Sequence, residues 1–288
     1  MIPGPFEYHR PSSVDEALAL LAAHGEEGRV IAGGHSLVPM MKLRLAEPAH
    51  LIDLRNLGEL RGIREADGGL EIGAMTTQHE IVDSELLQAL CPILRETALL
   101  IADPQVRYCG TLGGNVANGD PGNDMPAVMQ CLGASYLLRN AGGAREVAAR
   151  DFYEGAYFTA LGEDEILTAV RIPRPPAGQG QAYEKLKRKV GDYATAAAAV
   201  VLSLDGGTCS QAAVALTNVG QTPIFVEAAG QALLGGPVDA AAIAEAARLA
   251  REAADPVEDL RGPADFKRHA AGVMVQRALE RARDRAQA

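Results

Sequence analysis

The 288-residue chain has no tryptophan, five phenylalanines and seven tyrosines, so the core that its 48% hydrophobic residues can build is mainly aliphatic. Cysteine is nearly as sparse. Cys91, Cys109, Cys131 and Cys209 stand far apart with no C-x-x-C pair, which excludes a thiolate-held iron–sulfur or zinc site within this chain and reads as four reduced thiols. Histidine shows no H-E-x-x-H or paired spacing. No metal site is therefore expected, and His24, His50 and His269 read as surface residues. Excess positive charge is missing too: a net charge of −10 leaves no basic stripe to neutralise nucleic-acid phosphates. No apolar run approaches the roughly 18 residues that cross a bilayer; the densest, residues 194–204, is too short, and the N-terminus lacks a charged segment followed by an apolar one. The expectation is a cytoplasmic protein, with peripheral association on the inner face of the cytoplasmic membrane left open. No Ser-His-Asp set, pair of catalytic carboxylates or reactive thiol environment is visible.

What the chain does have is glycine in two matched places. Thr111-Leu112-Gly113-Gly114-Asn115 reads as a phosphate cradle, because adjacent glycines allow positive φ and let an anion approach successive N–H groups. Ala32-Gly33-Gly34-His35-Ser36 has the same design, between the apolar run Arg29-Val30-Ile31 and a helix over 37–43 with Pro39 in its first turn. Two such turns suit a ligand with two linked phosphates. Neither is the G-x-G-x-x-G of a Rossmann site nor a P-loop, so those dinucleotide and triphosphate sites are disfavoured. After the turn Asp120-Pro121-Gly122, Asn123 or Asp124 is placed to cap a helix over 125–132.

The remaining pattern is mixed α and β, and the length suits two domains. Ser13 and Glu16 form a capping box for a helix with Val14, Ala17, Leu18 and Leu21 on one face, stopped by Gly25. Strands are expected at 30–31 and 51–54. Asp67-Gly68-Gly69 marks a hairpin; Thr77 and Glu80 make another capping box, followed by helices over 79–83 and 85–102, with Pro104 ending the helical region. A hairpin turns at 140–143, and residues 165–172 alternate as a strand. Residues 173–178, Pro-Arg-Pro-Pro-Ala-Gly, are the clearest linker. Beyond it, strands are expected at 182–189, 195–204 and 212–218, then helices over 225–234, 240–253 and 264–286.

The two glycine motifs resemble the FAD diphosphate motifs of the flavoprotein subunits of molybdenum hydroxylases, the xanthine dehydrogenase and carbon monoxide dehydrogenase family. The likeness covers essentially the whole chain. The opening Phe6-Glu7-Tyr8-His9-Arg10-Pro11, the segment Met40-Met41-Lys42-Leu43-Arg44 and the length are most similar to medium subunits of the aerobic carbon monoxide dehydrogenase branch. The resemblance implies an α+β protein: a two-part FAD-binding domain of PCMH, vanillyl-alcohol-oxidase-like type over 1–177 (parts about 1–55 and 56–177), then a smaller domain of antiparallel sheet plus helices over 178–288. It implies non-covalent FAD held by Ala32, Gly33, Gly34, His35 and Ser36 and by Thr111, Leu112, Gly113, Gly114 and Asn115. It also places Asp124 near the ribose and diphosphate, Leu167 and Lys185 against the flavin ring, and Tyr193 as a cover on one ring face, with Tyr8, Tyr108, Tyr153 and Tyr157 as other aromatic candidates. The implied role is electron transfer: a molybdenum-containing large subunit oxidises CO with water to CO2, a small subunit with 2Fe-2S clusters relays electrons to FAD, and a quinone or cytochrome of the respiratory chain accepts them. A dimer of heterotrimers is the implied assembly, and the isolated chain is expected not to oxidise CO. The flavoprotein of a purine or N-heterocycle hydroxylase, and a non-catalytic nucleotide-binding or interaction module, are the alternatives.

Overall fold

The computed structural model describes residues 2–287. Its first unit grows from β1 (Glu7–His9), α1 (Val14–His24), β2 (Gly28–Ile31), α2 (Leu37–Lys42) and β3 (His50–Asp53). The strands pair in parallel in the order β1-β3-β2. β1 is not apparent in the sequence, because Glu7-Tyr8-His9 carries no apolar alternation and becomes a strand only through its ladder to β3. In α1, Ser13 Oγ accepts the Glu16 N–H as expected. The reciprocal half of the capping box is absent: the Glu16 carboxylate takes the N–H and hydroxyl of Ser12, one residue earlier, where two donors converge on it. Val14, Ala17, Leu18 and Leu21 bury against Ile52 and Leu54 of the sheet.

The second unit has a five-stranded antiparallel sheet, and helices cover it. Its elements are β4 (Ile63–Ala66), β5 (Gly69–Gly73), α3 (Gln78–Asp83), α4 (Glu85–Leu90), α5 (Pro92–Leu100), α6 (Pro104–Cys109), α7 (Leu112–Ala117), α8 (Met125–Cys131), β6 (Ser135–Asn140), β7 (Gly143–Ala148), β8 (Tyr153–Gly155), β9 (Phe158–Thr159) and β10 (Ile166–Pro173). The order β4-β5-β10-β6-β7 threads the last strand between the two hairpins, so the sheet closes only when β10 arrives. Thr77 and Glu80 do form a full capping box. Pro104 does not end the helical region. It begins α6, since proline lacks only an N–H that the first turn leaves unused, and Asp103 caps the helix by accepting from Val106 N at 3.0 Å.

After residues 174–179, the last unit comprises β11 (Gly180–Leu186), β12 (Ala196–Asp205), β13 (Thr208–Thr217), β14 (Ile224–Phe225), α9 (Glu227–Gln231), α10 (Ala240–Ala253) and α11 (Ala264–Ala286). The four strands run antiparallel in sequence order. A helix expected over 225–234 is shorter than that, because Ile224 and Phe225 pair with β13 first. β12 explains its own alanine-rich composition. Ala196, Ala198, Val200 and Leu202 face α11 and join the core it shares with α10, whereas Ala197, Ala199 and Val201 join the core beneath α8 and the five-stranded sheet. A strand buried on both faces reads as a continuous apolar run, and small side chains let helices approach closely. Among the described residues no helix is long and apolar enough to cross a membrane.

Candidate functional site

The two glycine motifs meet in space. A Cβ at Gly33 would lie 2.3 Å from the carbonyl oxygen of Cys109 and 2.8 Å from Gly110 Cα, so only glycine lets the first turn sit on the chain entering the second motif. At the other contact, a Cβ on Gly114 would lie 3.8 Å from Ala32 Cβ. The motifs nevertheless differ in what they offer. The N–H groups of Gly33, Gly34, His35 and Ser36 have no main-chain acceptor among the described residues. Four successive amides beside an exposed His35 side chain are an anion-binding arrangement.

The second motif is a helix start rather than an open loop, which corrects the reading of Thr111 to Asn115 as a backbone cradle. Leu112 N donates to Thr76 O at 2.9 Å, Gly113 N to Ala74 O at 2.8 Å and Asn115 N to Thr111 O at 3.0 Å. Gly114 N donates to Thr111 Oγ1 at 3.0 Å. All four amides are therefore engaged inside the protein. Gly113 serves close packing, since a Cβ there would stand 2.6 Å from Ala74 Cβ. What remains for a ligand is the Thr111 N–H, which has no main-chain acceptor among the described residues, the Thr111 hydroxyl proton and the exposed glycine face at Gly114.

Asn115 and Asp124 exchange the roles that local chemistry suggests. Asn115 Oδ1 accepts from Met125 N at 3.3 Å and its carbonyl accepts from Asn123 Nδ2 at 2.7 Å, so Asn115 tethers the start of α8. Asp124 stands at the cap position but makes no cap bond. Its carboxylate turns inward instead, accepting from the Tyr183 hydroxyl at 2.6 Å and from Lys185 Nζ at 2.7 Å. Charge-assisted bonds to a lysine and a phenol are stronger than a bond to a neutral amide, so they win the carboxylate. Lys185 is 1% exposed and donates a further bond to Leu100 O at 3.3 Å. Lys185 is thus a buried strand charge held by a buried carboxylate. Tyr183 and Lys185, two residues apart, share the face of β11 that meets α5 and the Asp124 carboxylate. Burial pushes the Asp124 carboxyl above its usual range, outweighing the attraction of Lys185 and the two hydrogen bonds. Burial also lowers Lys187, and the neighbouring Lys185 charge adds to that. Leu167 is 5% exposed, in the same core, next to a bulge of β10.

Tyr193 is at the rim of this layer, 43% exposed. Its ring closes on Gly122, where a Cβ would be 2.7 Å from Tyr193 Cδ1, and the Arg261 guanidinium lies 5.7 Å from the ring centroid. Asp192, bonded to Arg188 at 2.8 Å and Arg261 at 3.2 Å, pins the segment that carries it. A cleft of about 420 Å³ opens here, lined by Asp120, Gly122, Tyr157, Tyr193, Asn218 and Arg261 among others. Burial, with the charges of Asp120 and Tyr157 next in weight, pushes the Tyr193 hydroxyl up to about 12, so it is a neutral donor at physiological pH. Of the other aromatic candidates, Tyr157 lines the same cleft, whereas Tyr8 is bonded to Asp53 and Tyr153 to Tyr136. Tyr108 lies against His79, with ring centroids 4.0 Å apart.

Three features here escape sequence reasoning. Tyr183 and Arg261 come from remote strands and loops, and Gln78 is a buried amide whose Oε1 and Nε2 both lack protein partners, while its N–H donates to Gly110 O at 2.8 Å. The capping box of Thr77 and Glu80 pointed to a helix from residue 79, one residue after Gln78 begins α3, and gave no sign of its chemistry. Free amides at one turn, a hydroxyl and an open glycine face at its neighbour, and a half-buried tyrosine at the mouth of a cleft fit a long anionic cofactor with a planar ring.

Comparison with known proteins shows the family to which this chain belongs. Residues 4–175 match the family model of the FAD binding domain in molybdopterin dehydrogenase, and residues 181–282 match the CO dehydrogenase flavoprotein C-terminal domain. The chain is 60% identical over 286 residues, 99% of each chain, to the carbon monoxide dehydrogenase medium chain of Afipia carboxidovorans. It is 36% identical over 286 residues, 99% of this chain and 97% of the other, to caffeine dehydrogenase subunit beta of a Pseudomonas species. Among solved structures it superposes on a chain of the Cu,Mo-CO dehydrogenase crystal structure with a TM-score of 0.98 at 60% identity, covering 99% of this chain and 100% of that one. Quinoline 2-oxidoreductase from Pseudomonas putida 86 gives 0.95 at 37% identity, covering 100% of both chains. The chain belongs to the family of FAD-binding flavoprotein chains of molybdopterin dehydrogenases.

Proposed function

We propose that this chain is the FAD-carrying medium subunit of an aerobic, copper- and molybdenum-containing carbon monoxide dehydrogenase, an oxidoreductase converting CO and water to CO2, protons and electrons. The observation that carries it is 60% identity from end to end with a carbon monoxide dehydrogenase medium chain, against 36% with the caffeine enzyme's subunit. That gap favours the carbon monoxide reading over a purine or N-heterocycle hydroxylase. A non-catalytic nucleotide-binding module loses its appeal against two flavoprotein family matches in tandem.

In this reading residues 1–177, in parts of about 1–55 and 56–177, bind the cofactor, and residues 178–288 close over it. When bound, FAD supplies reversible one- and two-electron chemistry. The amides of Gly33, Gly34, His35 and Ser36, next to Ala32, would hold the diphosphate, and the Thr111 hydroxyl would add a donor beside the exposed face of Gly114. Leu112, Gly113 and Asn115 would shape that face rather than donate their amides. Asp124 and Lys185 would act from beneath as a fixed buried pair, Leu167 would supply an apolar floor, and Tyr193 would cover the ring from the cleft. A molybdenum-containing large subunit and a small 2Fe-2S subunit are the partners, in a dimer of heterotrimers, with a quinone or cytochrome as acceptor. The setting is cytoplasmic, peripheral to the inner face of the membrane. Purified alone, the chain is expected to show a flavin spectrum and no CO-dependent dye reduction, and adding the two partner subunits should restore it. A chain that is colourless after refolding with FAD, or that reduces dye with CO unaided, would overturn the assignment.

A further inference from the structure

We propose that His9, His24 and His50 form a binding site for one divalent transition-metal cation of the zinc type. One ring nitrogen from each histidine lies within 4.8 Å of the others, the one group of three His, Cys, Asp or Glu side chains so arranged among the described residues. His9 Nε2 and His50 Nδ1 are 3.0 Å apart. Imidazole nitrogens about 2.0–2.1 Å from a tetrahedral zinc stand about 3.3 Å from one another. The pair is therefore already near the required separation.

The fold puts these rings together, and the sequence gives no hint of it. Glu7 and His9 point to one face of β1, and the register Glu7 to His50 places His50 on the same face of β3. α1 covers that face and ends on His24. Gly28, paired with His50 on β2, leaves the space His24 needs: a Cβ there would be 3.1 Å from His24 Cβ. All three rings are half-buried, and the polar partners found for them are each other and Glu7, whose Oε2 is 3.5 Å from His50 Nδ1. Glu7 is thus available as an anionic fourth partner. His24 and His50 stack with centroids 3.6 Å apart, so His24 must turn its ring off His50 to aim at a shared ion. A side chain at a helix end has that freedom.

Three imidazoles select zinc, nickel, copper or cobalt over magnesium and calcium, which prefer oxygen. The ion would tie the end of β1, the end of α1 and the start of β3 together, away from the glycine turn that follows β2. It would clamp the first unit rather than take part in electron transfer.

The test uses the full-length, FAD-loaded chain, stripped with a chelator and titrated with zinc chloride by calorimetry and with cobalt by visible absorption. The expected result is one ion per chain, a tetrahedral cobalt spectrum with nitrogen ligation, and a higher Tm with zinc. His9→Ala, His24→Ala and His50→Gln should each raise Kd by about tenfold or more, with His269→Ala unchanged. Circular dichroism checks folding, and His24→Gln, at the end of α1, is the variant least able to disturb it. Absence of saturable zinc binding by the parent, equal affinity in folded His24→Gln, or an octahedral aquo-like cobalt spectrum would overturn the proposal.

Discussion

Replacing Lys185 by methionine tests how the buried layer beneath the site is held. Lys185 Nζ is 2.7 Å from Asp124 Oδ2, with the two side chains 1% and 6% exposed, so the substitution strands a carboxylate with the Tyr183 hydroxyl as its remaining donor. Removing one partner of a buried pair costs about 3–5 kcal/mol, mostly the penalty of the uncompensated charge. For a chain of this size that corresponds to a Tm drop on the order of 10 °C. The effect should also depend on pH with a definite sign. Burial already raises the Asp124 carboxyl, and losing the lysine raises it further. The folded variant then holds a proton that the unfolded chain, titrating near the ordinary carboxylate value of about 3.9, has released. Stability of the variant therefore falls as pH rises through the raised folded value, and the deficit against the parent is smaller in mild acid than at pH 8. Urea denaturation at several pH values measures it. The double variant Asp124→Asn with Lys185→Met, which removes both charges, should recover a large part of the loss. A Lys185→Met chain within about 1 kcal/mol of the parent at pH 8, or a deficit flat across pH, would refute the reasoning.

Three further outcomes follow from the same geometry. Gly33→Ala forces a methyl to within 2.3 Å of Cys109 O, so it should displace the first turn and sharply reduce FAD content, read from the ratio of flavin to protein absorbance, whereas Ser36→Ala, which leaves the four amides in place, should retain it. Tyr193→Ala should keep most of its FAD, because the diphosphate donors lie elsewhere, but alter the flavin spectrum and acceptor kinetics; the stacking lost is worth about 0.5–1.5 kcal/mol, and an unchanged spectrum with unchanged kinetics would rule the ring cover out. Glu165 is held below the usual carboxylate range by its hydrogen bond to Arg145, so its contribution is present above the unfolded value of about 4.3 and is lost as pH falls through the folded one; Glu165→Gln should therefore lower stability at pH 7 and converge with the parent in acid, as followed by thermal melts.

Local pattern by itself determined much of this protein. Periodic apolar residues and capping side chains located α1, α3, α10 and α11 because a helix of amphipathic sequence buries one face wherever it lands. Paired glycines marked the two places where a residue without Cβ lets backbones nearly touch, Gly33 against Cys109 and Gly113 against Ala74. Proline and glycine marked the break after β10, where residues 174–179 connect it to β11. What tertiary structure alone decided concerns partners far apart in sequence. Whether the amides after Thr111 were free depended on Ala74 and Thr76, which lie on another strand end and claim them. Asp124 gave up its helix cap because β11 delivers Tyr183 and Lys185 from 59 and 61 residues away. The histidine cluster likewise exists only because β1 and β3 pair in parallel and α1 ends above them. Residue type sets which bonds a side chain can make, and the fold determines which partner is near enough to make them.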